Sequence, residues 1–159
     1  MTTSQDQQFV LDQLIRVTAK EVRFLKRTAD RLRSVNIDIF WVESLESNDE
    51  NSEMLDAVVS RFGRLQDTLD DKLLPAILSA SLEKTGAQLD NLLRAEKLGW
   101  IESTQTWIEL RELRNRLVHE YIESADDLLS ALQQALQGVH ILTENQLRLV
   151  SFAQNMKLK

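Results

Sequence analysis

The chain has 159 residues, with one proline, four glycines and 43% apolar residues, enough to bury the core of one domain and too little turn chemistry for a β architecture. It has no cysteine, and its two histidines lie twenty-one residues apart, which argues against disulfides, thiol chemistry and a zinc site. The formal net charge of −6 opposes indiscriminate nucleic-acid binding, which depends on Lys and Arg contacts that release counterions, so any RNA contact must be local.

The start, Met1 to Asp6, lacks the basic residues and apolar run of a signal peptide. No stretch approaches the roughly twenty apolar residues that span a bilayer. A cytoplasmic protein with no membrane association is expected. From Gln7 to Arg33, the residues Leu11, Ile15, Val22, Leu25, Ala29 and Leu32 recur at helical steps and predict a first helix with one buried stripe. Val35, Ile37, Ile39 and Trp41 then alternate with other residues, predicting a short extended segment. Glu43 to Glu53 reads as an exposed connection with turn and cap residues.

A second helix is predicted from near Ser52, with the stripe Leu55, Val58, Phe62, Leu65, Leu69, Leu73, Ile77 and Ala80 and a kink or break at Pro75. Gly86 separates it from a shorter helix carrying Leu89, Leu92, Leu93 and Leu98, which Gly99 stops. A fourth begins near Ser103, carries Trp107, Leu110, Leu113 and Leu117, and reaches the neighbourhood of Tyr121. Ser124 and Asp127 open the last helix in a near capping box. The expectation is a single all-α domain over residues 1–159, an antiparallel bundle of about five helices.

The fourth helix holds an anomaly. At ~100° per residue, Leu110, Leu113, Leu117, Val118, Tyr121 and Trp107 share one arc, and Arg114 falls inside it. A guanidinium on an apolar face is costly unless a partner or an anion satisfies it. An arginine there can also snorkel to water or pair with a carboxylate of another helix. Asn115 and His119 lie on the other side, one turn apart, so that Asn115 can orient the imidazole. Arg114, His119 and Tyr121 together form an Arg-x4-His-x-Tyr constellation in a chain with one tyrosine.

At these residues the chain resembles the HEPN family (higher eukaryotes and prokaryotes nucleotide-binding domain), specifically HepT-type toxins paired with minimal nucleotidyltransferase antitoxins. The resembling stretch runs from about Ala95 to Tyr121: Glu96-Lys97-Leu98-Gly99-Trp100-Ile101, then Trp107, then Leu113-Arg114-Asn115-Arg116-Leu117-Val118-His119-Glu120-Tyr121. The resemblance implies a metal-independent, cofactor-free ribonuclease that is a homodimer, with Arg and His of each subunit lining a cleft at the interface. Arg114 would hold the scissile phosphate, Asn115 would support it, and His119 would exchange protons with the attacking 2′-hydroxyl or the leaving oxygen. Tyr121 would be the residue to which the antitoxin adds AMP.

Physical chemistry fits those roles. RNA carries its own nucleophile, so a site needs a proton acceptor near neutral pH and a cation for the phosphorane charge. Arginine's planar fork binds two phosphate oxygens at once. Five residues on a continuous helix, however, separate Arg114 from His119 by ~140°. Either the helix loosens near His119, or two subunits related by a two-fold axis contribute. Arg111 and Arg116 are secondary candidates for RNA contact, or else surface residues pairing with Glu112 or Glu120; His140 is given no role. Two rival readings stand beside the nuclease: a non-catalytic helical module that docks to a nucleotidyltransferase, and a structural bundle in which Arg114 pairs with an acid such as Glu21 or Asp70.

Overall fold

The computed structural model describes residues 4–120 and 124–156. Among them the ordered elements are helices, with no strand. The longest two, α1 (Ser4–Arg33) and α7 (Ala125–Asn155), pack on each other and on α3 (Asp49–Thr68). Thr18 of α1 makes the first of these joints specific: its hydroxyl bonds the Leu14 carbonyl and accepts a bond of 3.1 Å from Gln146 of α7. Arg61 of α3 makes the second, donating to the Phe24 carbonyl and the Thr28 hydroxyl of α1 while its guanidinium stacks on the Phe24 ring.

The second half of the segment expected to be extended is instead the start of a short helix, α2 (Ile39–Glu43). Asp38 decides this, because its side chain accepts the Trp41 N–H and closes the first turn. Trp41 and Val42 are then buried by a helical register rather than by alternation. A 3-10 turn, Ser44–Glu46, follows. Next, α3 starts at Asp49, earlier than expected, because Asn48 caps it by accepting the Asn51 N–H.

The effect of Pro75 appears ahead of the residue itself. One π-helical stretch, Leu69–Leu73, joins α3 to α4 (Leu74–Ala80), with the proline in the first turn of α4. A proline in mid-helix lacks a donor and crowds the carbonyl four residues back, and a wider turn accommodates both defects. The helical path thus continues past Pro75 without a loop. At the end of α4, Leu82 occupies a left-handed conformation at φ 61°, where glycine is usual. Its N–H bonds Ser79 and that of Glu83 bonds Leu78.

Helix α5 (Gln88–Lys97) ends as its sequence predicts. Gly99 takes φ 79°, and the N–H groups of Gly99 and Trp100 bond the carbonyls of Glu96 and Ala95, the Schellman arrangement. Helix α6 (Thr104–Glu120) follows, with the Ser103 hydroxyl accepting the Thr106 N–H. Ser124 caps α7 by accepting the Asp127 N–H. The expected stripe of α6 is the real one: Trp107, Leu110, Leu113 and Leu117 are all buried, between α3 and α7. Gly138 lets α7 approach this stripe, since a Cβ there would come within 2.8 Å of the Leu110 side chain. No helix among the described residues is long and apolar enough to cross a membrane.

Candidate functional site

The stripe that anchors α6 fixes where its polar residues go. Arg114 follows Leu110 by four residues and precedes Leu117 by three, so its side chain leaves the helix toward α3. There it lies across Gly63: a Cβ on that glycine would fall 2.8 Å from the Arg114 Nε and 3.2 Å from one Nη. One turn further along α3, the Asp67 carboxylate accepts from both ends of the fork, at 3.3 Å from Nη1 and 3.2 Å from Nη2. The pair is open to water, with 34% of the arginine side chain and 52% of the aspartate side chain exposed. Arg114 therefore pairs with an acid of another helix, but the acid is Asp67, not Glu21 or Asp70.

Asp70 is taken by Arg111. The Arg111 Nη2 donates to Oδ2 of Asp70 at 3.2 Å, and the Asp70 side chain is only 2% exposed. The other oxygen, Oδ1, is buried with no hydrogen-bond partner. Burial pushes this carboxyl up to about 7, against the pull of Arg111. Glu21, whose Oε2 accepts from the Thr68 hydroxyl, is also raised by burial. Arg111, a candidate for RNA contact in the sequence, is thus committed to an interior acid. Arg116 lies on the opposite side of α6, in a hollow shared with Glu109, Glu112 and α7.

Arg114 lines an open groove of about 420 Å³ between α3 and α6. Arg64, Lys72, Asp67 and Asp71 supply its charges, Ser60 and Thr68 its hydroxyls, and Val59 and Val118 its apolar wall. The sequence placed Val118 in the buried arc, yet it is 52% exposed at the groove's edge. A second hollow, lined by Val10, Gln13, Leu14 and Val17 of α1, shares Thr68 and Lys72 with the groove, so the two form one continuous surface. Val10 and Val17 are exposed along it.

Asn115 and His119 stand one turn apart on the exposed side of α6. The helix is unbroken from Thr104 to Glu120, so the loosening near His119 that would bring it round to Arg114 does not occur. Tyr121 lies outside the described residues. Among those residues, no group of three or more His, Cys, Asp or Glu side chains is placed to hold a metal ion.

Sequence reasoning missed Asp67 and Gly63. A signal existed for the glycine: in the interior of a strong helix it costs about 0.5–1 kcal/mol relative to alanine, so it calls for a close approach. Asp67, 47 residues before the arginine it pairs with, had no local signal. No family model, no curated protein and no solved structure matches this chain.

Proposed function

We propose that this chain is a metal-independent ribonuclease of the HEPN type that works as a two-fold homodimer, with Arg114 and His119 as its reacting pair. The observation that carries the reading is the Arg114 fork: a partly exposed guanidinium, seated on a glycine, lining an open groove and already engaged with two oxygens of one anionic group. A phosphodiester offers the same two-oxygen acceptor. In the reaction the 2′-hydroxyl of RNA attacks the adjacent phosphorus and the bond to the 5′-oxygen breaks, leaving a 2′,3′-cyclic phosphate and a 5′-hydroxyl. Arg114 offsets charge on the phosphorane; His119 accepts the 2′ proton or protonates the leaving oxygen. Asn115, one turn before His119, orients its ring.

The dimer is part of the same proposal. Within one chain the unbroken helix points Arg114 at α3 and His119 away from it, and two copies about a two-fold axis supply the missing convergence. The exposed apolar residues Val10, Val17 and Val118 beside the groove support an interface there. In this reading a nucleotidyltransferase antitoxin neutralises the toxin, and AMP on Tyr121, seven residues and about 20° from Arg114 on a continued helix, blocks the cleft with its own phosphate.

A second reading has an observation in its favour. Asp67 already satisfies Arg114, and an acidic body with a self-paired arginine suits a non-catalytic partner of a nucleotidyltransferase. Controlled expression of the wild type and of His119→Ala separates the two. The ribonuclease reading expects growth arrest with new RNA fragments for the wild type alone; normal growth with intact RNA in both, with soluble unmodified protein verified by mass, puts the binding partner first.

A further inference from the structure

Asp67 and Asp70 sit one turn apart on neighbouring α-helical and π-helical stretches, and each meets an arginine of α6, yet the two pairs differ in kind. Asp70 is buried and its contact with Arg111 holds the helices together. Asp67 is half exposed, and both of its contacts to Arg114 are longer than the 2.7–2.9 Å typical of charge-assisted bonds between nitrogen and oxygen. Exposed pairs of this sort contribute little to stability. Gly63 gives the guanidinium a floor that does not depend on the carboxylate.

We propose that Asp67 is an internal occupant of the Arg114 anion site, a carboxylate that fills the fork in the free protein and gives way to a backbone phosphate of single-stranded RNA. This rests on the ribonuclease reading and adds to it a gate at the same site. The groove's lining carries three cations, Arg64, Lys72 and Arg114, against two carboxylates, Asp67 and Asp71. With Asp67 in place, the fork presents little net charge to a lone small anion. A polyanion that also meets Arg64 and Lys72 has the additional contacts needed to displace the carboxylate. Asp67 is thus a specificity-determining residue; it acts by competing for Arg114 and is not a catalytic one.

The test uses full-length protein carrying His119→Ala, so that RNA binds without being cut, and compares it with the same protein carrying Asp67→Asn as well. Fluorescence anisotropy with a labelled single-stranded RNA oligonucleotide is measured across a salt series. Removing the competing charge is expected to tighten binding by about tenfold. The slope of log K against log salt should steepen by roughly 0.7, because Arg114 then releases a solution counterion instead of a protein carboxylate. Adding Arg114→Ala to both proteins should abolish the difference between them. Unchanged or weaker affinity with an unchanged slope overturns the gate and leaves Asp67 as a support for the arginine. Failure of both His119→Ala proteins to bind RNA, while they melt as the wild type does, overturns the ribonuclease reading and the gate with it.

Discussion

At Gly63 the missing side chain and the position of Arg114 are one arrangement. A methyl group there would meet the guanidinium end of a flexible side chain at 2.8 Å, so the arginine would move rather than the helix. Alanine gains about 0.5–1 kcal/mol of helix stability over glycine, and a partly exposed ion pair is worth about the same. Gly63→Ala is therefore expected to leave Tm within about 2 °C of the wild type while cutting RNA cleavage at least about a hundredfold, the usual loss when one charge-stabilising donor leaves its place. A large drop in Tm, or full activity with Arg114 displaced, would show that the contact does something else. Arg114 was legible from the sequence as a misplaced charge on an apolar arc. What satisfies it was not: Asp67 is a residue of another helix, one of a run of acids in which periodicity favours no member.

Between elements, the joint of α6 with the π-helical stretch after α3 is built on Asp70 and Arg111, and it titrates. The Asp70 carboxyl is raised to about 7 by burial, with Arg111 lowering it and Asp71 and Asp67 raising it further. In the unfolded chain it returns to near its ordinary value of 3.8. Because the folded value is the higher one, the stabilising contribution is fully present below about pH 4 and is lost as pH rises through about 7. Glu21, raised in the same direction, adds a term of the same sign. Asp70→Asn keeps a hydrogen-bond acceptor for Arg111 and removes the titration. Between pH 4.5 and 7.5 the Tm of the variant should gain on that of the wild type by about 3–6 °C; parallel curves would contradict it. The helices themselves were readable where local chemistry is complete, as in the Gly99 stop and the Ser124 cap. They were misread between Val35 and Trp41, because a five-residue helix spans too few turns to show its period and the apolar alternation of Ile37, Ile39 and Trp41 masks the Asp38 cap. Val118 was misplaced for a related reason: angle around a helix says which residues share a face, not how wide the neighbouring helices are that cover it.

At the scale of the whole molecule, an acidic chain confines its proposed chemistry to one groove beside an exposed apolar strip on α1 and the end of α6. The unbroken α6 directs Arg114 and His119 to different sides, so in the proposed enzyme they meet across a two-fold axis. Complementation between two inactive variants tests this most directly. Arg114→Ala and His119→Ala chains are produced separately and co-expressed, and each preparation is given single-stranded RNA in the presence of a chelator. Wild type should cleave to 2′,3′-cyclic phosphate ends, and neither variant alone should. The mixture should recover about a quarter of wild-type activity, since about half the dimers are mixed and each mixed dimer holds one intact pairing of two. A mixture as inactive as its parents, beside an active wild type, would contradict the shared site; a wild type that leaves RNA intact would contradict the ribonuclease itself.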